Sequence, residues 1–116
     1  MTTAELAAVG AAFAGTPPGD RAAPAAVAVS AATQSATLAT MLHCGMYEQS
    51  GEWGATVGVP AKSGVGGAVW ASIPGVGGVC AHQPRIDNVG NSVQAMALIR
   101  GMAARLPGLS VFNAGL

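Results

Sequence analysis

The residues from Gly45 to Gly67 combine side chains and backbone that could bind a small substrate. This stretch, GMYEQSGEWGATVGVPAKSGVGG, holds the single tyrosine of the chain, Tyr47, and the tripeptide Lys62-Ser63-Gly64. A lysine at the start of a strand adds a positive potential that attracts a substrate carboxylate. The adjacent glycine lets a substrate approach the backbone closely, because it has no Cβ atom. A tripeptide of this kind is common by chance, so its meaning depends on the residues around it.

The tetrapeptide Gly-Val-Gly-Gly occurs twice, at residues 64–67 and 75–78, and invites comparison with phosphate-binding loops. The dinucleotide-binding fingerprint requires glycine or alanine five positions after the first glycine, where this chain has Val69 and Cys80. No Gly-Lys-Ser/Thr sequence follows a glycine-rich loop, which excludes a P-loop. The second copy is better interpreted as a hairpin turn.

The positions before this stretch predict two helices. Thr2 and Glu5 have the spacing of a capping box, which starts the first helix, and glycine and proline residues between positions 15 and 19 end it. A second, long helix is expected over about residues 25–44, with Gly45 as its stop. Leu6, Val9 and Phe13 fall on one face of the first helix, and Leu38, Met41 and Leu42 are expected to form the buried stripe of the second.

Three antiparallel strands and a last helix are expected to follow. The strands are predicted at residues 52–59, 67–73 and 78–82. Asn91 or Ser92 is expected to cap a helix that runs through about residue 106. Trp53 and Trp70 are predicted to form the core of the small sheet.

Longer motifs surround the Lys62-Ser63-Gly64 tripeptide. They are Cys44-Gly45-Met46-Tyr47, the run from Val57 to Gly67, Pro74-Gly75 and Gly90-Asn91-Ser92. Together these motifs resemble the C-terminal part of the serine-dependent glutaminases, the family that hydrolyses L-glutamine to L-glutamate and ammonia. The first helix, AELAAVGAAFAG, is similar to a segment of that family as well. The resemblance therefore covers most of the chain and is densest from Leu42 to Ser92.

The resemblance implies a fold and a reaction. The implied fold is α/β (α+β), a partial β-lactamase/glutaminase-like fold with an antiparallel sheet flanked by helices. Residues 1–116 would be the C-terminal part of one glutaminase domain, which is incomplete on its own. The implied reaction is amide hydrolysis through an acyl-enzyme on serine. L-Glutamine is the substrate of the family, and the resemblance implies no cofactor and no metal.

The resemblance also assigns roles to two residues. Tyr47 corresponds to the tyrosine that faces the nucleophilic serine and the bound glutamine, which makes it a candidate proton shuttle. Because an unperturbed phenol has a pKa near ~10, acting as a base would require a cationic neighbour. Val65 corresponds to the residue whose backbone N–H binds substrate and helps to form the oxyanion hole. Lys62 is interpreted either as a source of positive field near this site or as a solvated charge at the end of a strand.

The chain departs from the family pattern in one essential respect. The catalytic Ser-x-x-Lys motif of the family occurs nowhere in this sequence. We therefore expect the isolated chain to be inactive, and two alternatives to an enzyme of this family stay open. One is a non-catalytic remnant or interaction module that pairs its open sheet edge with another chain. The other is a β-lactamase or penicillin-binding relative that shares only the Lys62-Ser63-Gly64 strand. Smaller departures are Glu48 in place of the usual Asp and an apparent insertion between Arg21 and Ser30.

Composition limits the partners and the location of the chain. A formal net charge of zero and the lack of a basic cluster argue against nucleic acid. No apolar run approaches the ~18 residues that span a bilayer, so we expect a cytoplasmic protein without a membrane partner. Cys44 and Cys80 are then interpreted as reduced thiols. His43 and His82 lack partners at metal-ligand spacing. An incomplete sheet would expose an unpaired edge, from which self-association is expected.

Overall fold

The core of the structure is a three-stranded antiparallel sheet in the order β1-β2-β3. The structure is a computed structural model that describes residues 1–15 and 29–112. The strands are β1 (Ala61–Ser63), β2 (Ala68–Ile73) and β3 (Gly77–His82). The hairpin of β2 and β3, with its turn at residues 74–76, confirms the prediction for this region.

Four α-helices surround the sheet: α1 (Thr3–Phe13), α2 (Ala31–Cys44), α3 (Ser50–Thr56) and α4 (Val93–Arg105). The predicted capping box of α1 is confirmed, since Glu5 N donates to Thr2 Oγ1 (3.1 Å) and Thr2 N donates to Glu5 Oε1 (3.0 Å). Ser92 caps α4, as predicted, and its hydroxyl accepts from Ala95 N.

Helix α2 begins later than the sequence predicts. Ser30 has an extended backbone (ψ 153°), and its hydroxyl accepts a hydrogen bond from Thr33 N. An N-cap residue of this geometry starts a helix, so α2 begins directly after Ser30. The prediction of one continuous helix from about residue 25 is therefore wrong at Ser30. Residues 25–28 themselves lie outside the described residues. The apolar stripe holds, with Met41 buried and Leu38 and Leu42 half-buried.

The strand predicted at residues 52–59 is wrong, because Ser50–Thr56 forms helix α3. The indole of Trp53 is buried and its Nε1–H donates to Val59 O (2.9 Å), which folds the chain back after the helix. A helix of this length with two glycines has little propensity of its own, so tertiary contacts determine it. The first strand of the sheet is instead β1, at Ala61–Ser63.

One face of the sheet carries the apolar core. Val69, Ala71 and Ile73 alternate along β2 and are buried on this face, as the period of two of a strand requires. They belong to one cluster with Trp53 of α3 and with buried side chains of α4, namely Ala95, Met96 and Ile99. The prediction for the tryptophans is therefore right for burial of Trp53 but not for its place on a strand. Trp70 lies on the opposite face of β2 and is half-buried.

Helix α1 packs on that opposite face through its smallest residues. The buried positions of α1 are Gly10 and Ala11, whereas the face formed by Leu6, Val9 and Phe13 is half-buried. A Cβ atom on Gly78 of β3 would lie 2.0 Å from Ala7 O, which leaves no room for a side chain there. Ser72 Oγ donates to Gly10 O (2.7 Å) at the same contact. Helix and strand therefore meet backbone to backbone.

A helix that spans a membrane must be both long and apolar. Crossing a bilayer takes about 20 mainly apolar residues. Within residues 1–15 and 29–112, no helix meets both requirements for a membrane span.

Candidate active site

Tyr47 lies in a short connection between α2 and α3, where the backbone is unusual. A 3₁₀ turn spans Tyr47–Gln49, and the φ angle of Tyr47 is 54°. Among the described residues it is the single non-glycine residue with positive φ. Side chains with a Cβ atom seldom adopt this left-handed conformation, so surrounding contacts must stabilise it. The phenol ring is about one-third exposed.

Gly45 joins the end of α2 directly to the first strand. Its carbonyl accepts a hydrogen bond from Ser63 N (2.9 Å). A Cβ atom at Gly45 would lie 1.8 Å from Ala61 O, so only glycine permits this approach. The contact fixes Tyr47, two residues further on, beside the Lys62-Ser63-Gly64 strand.

Val65 lies at the tip of the turn that connects β1 and β2. Gly67 N donates to Gly64 O (3.0 Å), which makes Val65 the second residue of a β-turn, and Gly67 follows with a φ angle of 100°. The Val65 side chain is 67% exposed. Its backbone N–H has no hydrogen-bond acceptor in the described part of the chain. The turn therefore presents a free main-chain donor at the surface.

Gly90 brings the predicted site residues to one place. A Cβ atom built on Gly90 would lie 3.4 Å from Val65 Cγ1 and 3.6 Å from Tyr47 Cε2. Lys62 Nζ lies 4.6 Å from the centroid of the Tyr47 ring, within the range of a cation–π contact. Lys62 Nζ also donates to Ser63 O. Tyr47 and Val65 thus meet at Gly90, and Lys62 supplies a cation beside the Tyr47 ring.

The loop before α4 holds Gly90 in position. Asp87 Oδ1 accepts hydrogen bonds from the N–H groups of Val89, Gly90 and Asn91, at 2.9 to 3.0 Å. Desolvation by itself would raise the pKa of Asp87, but these N–H donors and the Gln49 amide outweigh it and hold the pKa below its usual value. Asp87 therefore stays an acceptor and keeps the loop folded around it.

Gln49 and Asn91 complete this arrangement; the sequence predicts no role for Gln49 and only a possible helix cap for Asn91, a place that Ser92 takes in the structure. Asn91 Nδ2 donates to Met46 O (3.0 Å) and to Gln49 Oε1 (2.8 Å). Gln49 Nε2 donates to Asp87 Oδ2 (3.1 Å). The signal for Asn91 was present in the Gly90-Asn91-Ser92 motif. Gln49 is an ordinary polar residue in sequence, and only the fold reveals its contacts.

Two buried oxygen atoms near Tyr47 keep unused hydrogen-bonding capacity. They are Ser63 Oγ and Asn91 Oδ1, which find no partner within residues 1–15 and 29–112. Both side chains belong to residues that bond the backbone at Gly45 or Met46, directly before Tyr47. Polar groups of this kind are usually satisfied by water or by a bound group.

The two histidines each contact a backbone carbonyl oxygen, and the two cysteines are not joined by a disulfide. His43 Nδ1 lies 2.7 Å from Ala39 O on α2, and His82 Nε2 lies 3.1 Å from Gly66 O, in the turn that carries Val65. Cys44 is exposed and free, and burial raises the pKa of the half-buried, free Cys80 thiol. In the described part of the chain, no three His, Cys, Asp or Glu side chains could together hold a metal ion.

Comparison with known proteins identifies relatives over nearly all of the chain. The glutaminase family model matches residues 1–112. A glutaminase of Bordetella avium is 46% identical over 76 residues, which are 66% of this chain and 24% of that protein. A glutaminase of Bacteroides fragilis is 52% identical over 69 residues, 60% of this chain and 21% of that protein. The chain thus spans about a quarter of the length of the curated relatives it matches.

Solved structures show the same fold. The covalent complex of a Bacillus subtilis glutaminase with 5-oxo-L-norleucine superposes with a TM-score of 0.84 at 35% identity. The match covers 97% of this chain and 40% of that one. The predicted fold class, a mixed α/β arrangement with an antiparallel sheet flanked by helices as in the β-lactamase-like glutaminases, is confirmed. The chain belongs to the glutaminase family.

Proposed function

We propose that this chain forms one side of a site that hydrolyses L-glutamine to L-glutamate and ammonia. The observation that carries the proposal is that the Tyr47 ring lies beside Lys62 and meets the Val65 turn at Gly90. It places a phenol, a cation and a free main-chain donor together. These three groups match the needs of amide hydrolysis: proton transfer, attraction of the substrate carboxylate and stabilisation of an oxyanion.

The reaction we propose proceeds through an acyl-enzyme. A serine oxygen attacks the side-chain amide carbon of glutamine, and the C–N bond breaks to release ammonia. Water then attacks the resulting ester, releases glutamate and returns the proton to the serine. Tyr47 would relay the proton between the serine and the leaving nitrogen, and the Val65 N–H would donate to the oxyanion. The covalent complex of the Bacillus subtilis relative with 5-oxo-L-norleucine supports a covalent route.

The serine itself must come from outside this sequence, since no Ser-x-x-Lys motif occurs among its 116 residues. We therefore expect the purified chain to release no ammonia from L-glutamine above the buffer background. A coupled glutamate dehydrogenase assay measures this directly. Saturable turnover by the pure chain would contradict the proposal, because it would require a nucleophile within these residues.

A second candidate function is an interaction module, and the edge of the sheet favours it. Strand β3 pairs with β2 on one side, and among the described residues no strand pairs with its other side. Unpaired N–H and C=O groups along such an edge are a template for another strand. Large apolar side chains also stay exposed, including Leu98 and Phe112.

We accordingly expect the chain to self-associate in solution. Light scattering during size-exclusion chromatography should give a mass above that of the 11.3 kDa chain. A monomer that unfolds cooperatively above ~60 °C would argue against this expectation, because mesophilic domains that are complete typically melt at 45–65 °C.

A further inference from the structure

The backbone of Tyr47 is disfavoured, and a specific set of contacts keeps it in place. With a φ angle of 54° it occupies the left-handed region, in which the Cβ atom is too close to the following carbonyl oxygen. Such residues persist only where neighbouring interactions fix them, and they concentrate at functional sites. In this structure, polar side chains bond the backbone around Tyr47.

Two polar side chains hold the residues on either side of Tyr47. Ser50 Oγ accepts from Met46 N (3.0 Å) and donates to Tyr47 O (2.7 Å). The Asn91 amide, which is fully buried, donates to Met46 O and at the same time to Gln49 Oε1. Ser50 acts within the local turn, whereas Asn91 reaches across 45 positions of sequence. Asn91 therefore couples the Tyr47 turn to the loop before α4.

Gln49 extends this coupling to the residue that touches the ring. Its Nε2 donates to Asp87 Oδ2, while Asp87 Oδ1 receives the N–H of Gly90 at 3.0 Å. Gly90 in turn lies against both the Tyr47 ring and Val65. These hydrogen bonds and the Gly90 contact therefore connect the backbone before Tyr47 to the Tyr47 ring.

We propose that Asn91 and Gln49 are positioning residues, whose amides hold the Tyr47 ring against Gly90 and beside Lys62 and the Val65 turn. This inference rests on the proposed function, in which Tyr47 transfers a proton. The hydrogen bonds of the two amides run to Met46 O, to Asp87 and to each other, so each amide would act through the Tyr47 turn and its loop. The complementary pairing, with Asn91 as donor to Gln49 and Gln49 as donor to Asp87, also explains why two amides rather than two carboxylates occupy these positions.

The single tyrosine of the chain makes the inference measurable without turnover. In the full chain prepared with ring-labelled tyrosine, every tyrosine ring signal belongs to Tyr47. A nuclear Overhauser contact should connect this ring to the Gly90 α-protons. We expect Asn91→Ala and Gln49→Met to lose that contact and to shift the ring signals, while Asn88→Ala retains both. Asn88 is an exposed residue of the same loop, which makes it the matched control.

The two test variants differ in how much they disturb the fold. Asn91 is fully buried, so Asn91→Ala could unfold the chain, but Gln49 is only half-buried. The Gln49→Met result is therefore decisive, with circular dichroism as the check on folding. If folded Gln49→Met keeps the ring contact, or if it unfolds, the positioning role is overturned, in the second case in favour of a general structural role. The nuclear Overhauser contact tests the position of the Tyr47 ring, whereas turnover of glutamine tests the proposed function. Failure of the proposed function therefore gives a different result from failure of this inference.

Discussion

Replacing Val65 with proline should reduce glutamine turnover by about 10²- to 10³-fold in a chimaera that carries residues 1–112 of this chain. Proline has no N–H, so the substitution removes the main-chain donor proposed for the oxyanion, and losing one such donor costs roughly 3–4 kcal/mol of transition-state stabilisation. The chimaera would replace the matching segment of the Bacillus subtilis glutaminase, which aligns with 97% of this chain. The measurement is kcat for ammonia release.

The turn itself should tolerate this proline. Val65 is the second residue of the turn closed by Gly67 N and Gly64 O, and proline is favoured at that position of a β-turn. Val65→Ala is the matched control, because it keeps the N–H and removes only an exposed side chain. Equal losses of kcat in the two variants would show that the side chain or the fold, rather than the N–H, accounts for the effect.

Replacing Tyr47 with phenylalanine should lower kcat in the same chimaera by about 10²-fold or more, the usual loss when a group that transfers a proton is removed. Only the hydroxyl is lost, so the ring keeps its contact with Lys62 and its place against Gly90. The Michaelis constant should change much less than kcat, because the missing group acts mainly in the transition state.

The control for Tyr47 is the fold of the variant. Far-ultraviolet circular dichroism and the melting temperature of Tyr47→Phe should stay close to those of the parent chimaera, since the ring is about one-third exposed. A folded Tyr47→Phe enzyme with full turnover would refute the proton-transfer role. Reduced turnover with a lowered melting temperature would instead assign Tyr47 to structure.

The parts of the fold that the sequence predicts are those determined by local chemistry. The capping box of Thr2 and Glu5, the Ser92 cap and the β2–β3 hairpin each depend on residues a few positions apart. The error at residues 50–56 has the opposite origin. That helix is stabilised by the burial of Trp53 and by its bond to Val59 O, neither of which a propensity scale contains.

The candidate site likewise has features that the sequence predicts and features that depend on the tertiary fold. The motifs around Tyr47 and Lys62 were recognisable, and the structure brings the two residues together. The left-handed backbone of Tyr47 could not be predicted, because the Asn91 amide that bonds the neighbouring Met46 O lies 45 positions further along the chain. The role of Gly90 as the contact between Tyr47 and Val65 likewise requires the tertiary fold.

The backbone contact between α1 and β3 has a mechanical consequence. Side chains between packed elements normally act as a compliant layer, since they can change rotamer and absorb small displacements. At Gly10 and Gly78 that layer is missing, and the hydrogen bond from Ser72 to Gly10 O pins the two elements further. A displacement of α1 would therefore be passed directly to the backbone of the sheet. A partner that moves α1 by binding its outer surface would therefore also move the β2–β3 hairpin.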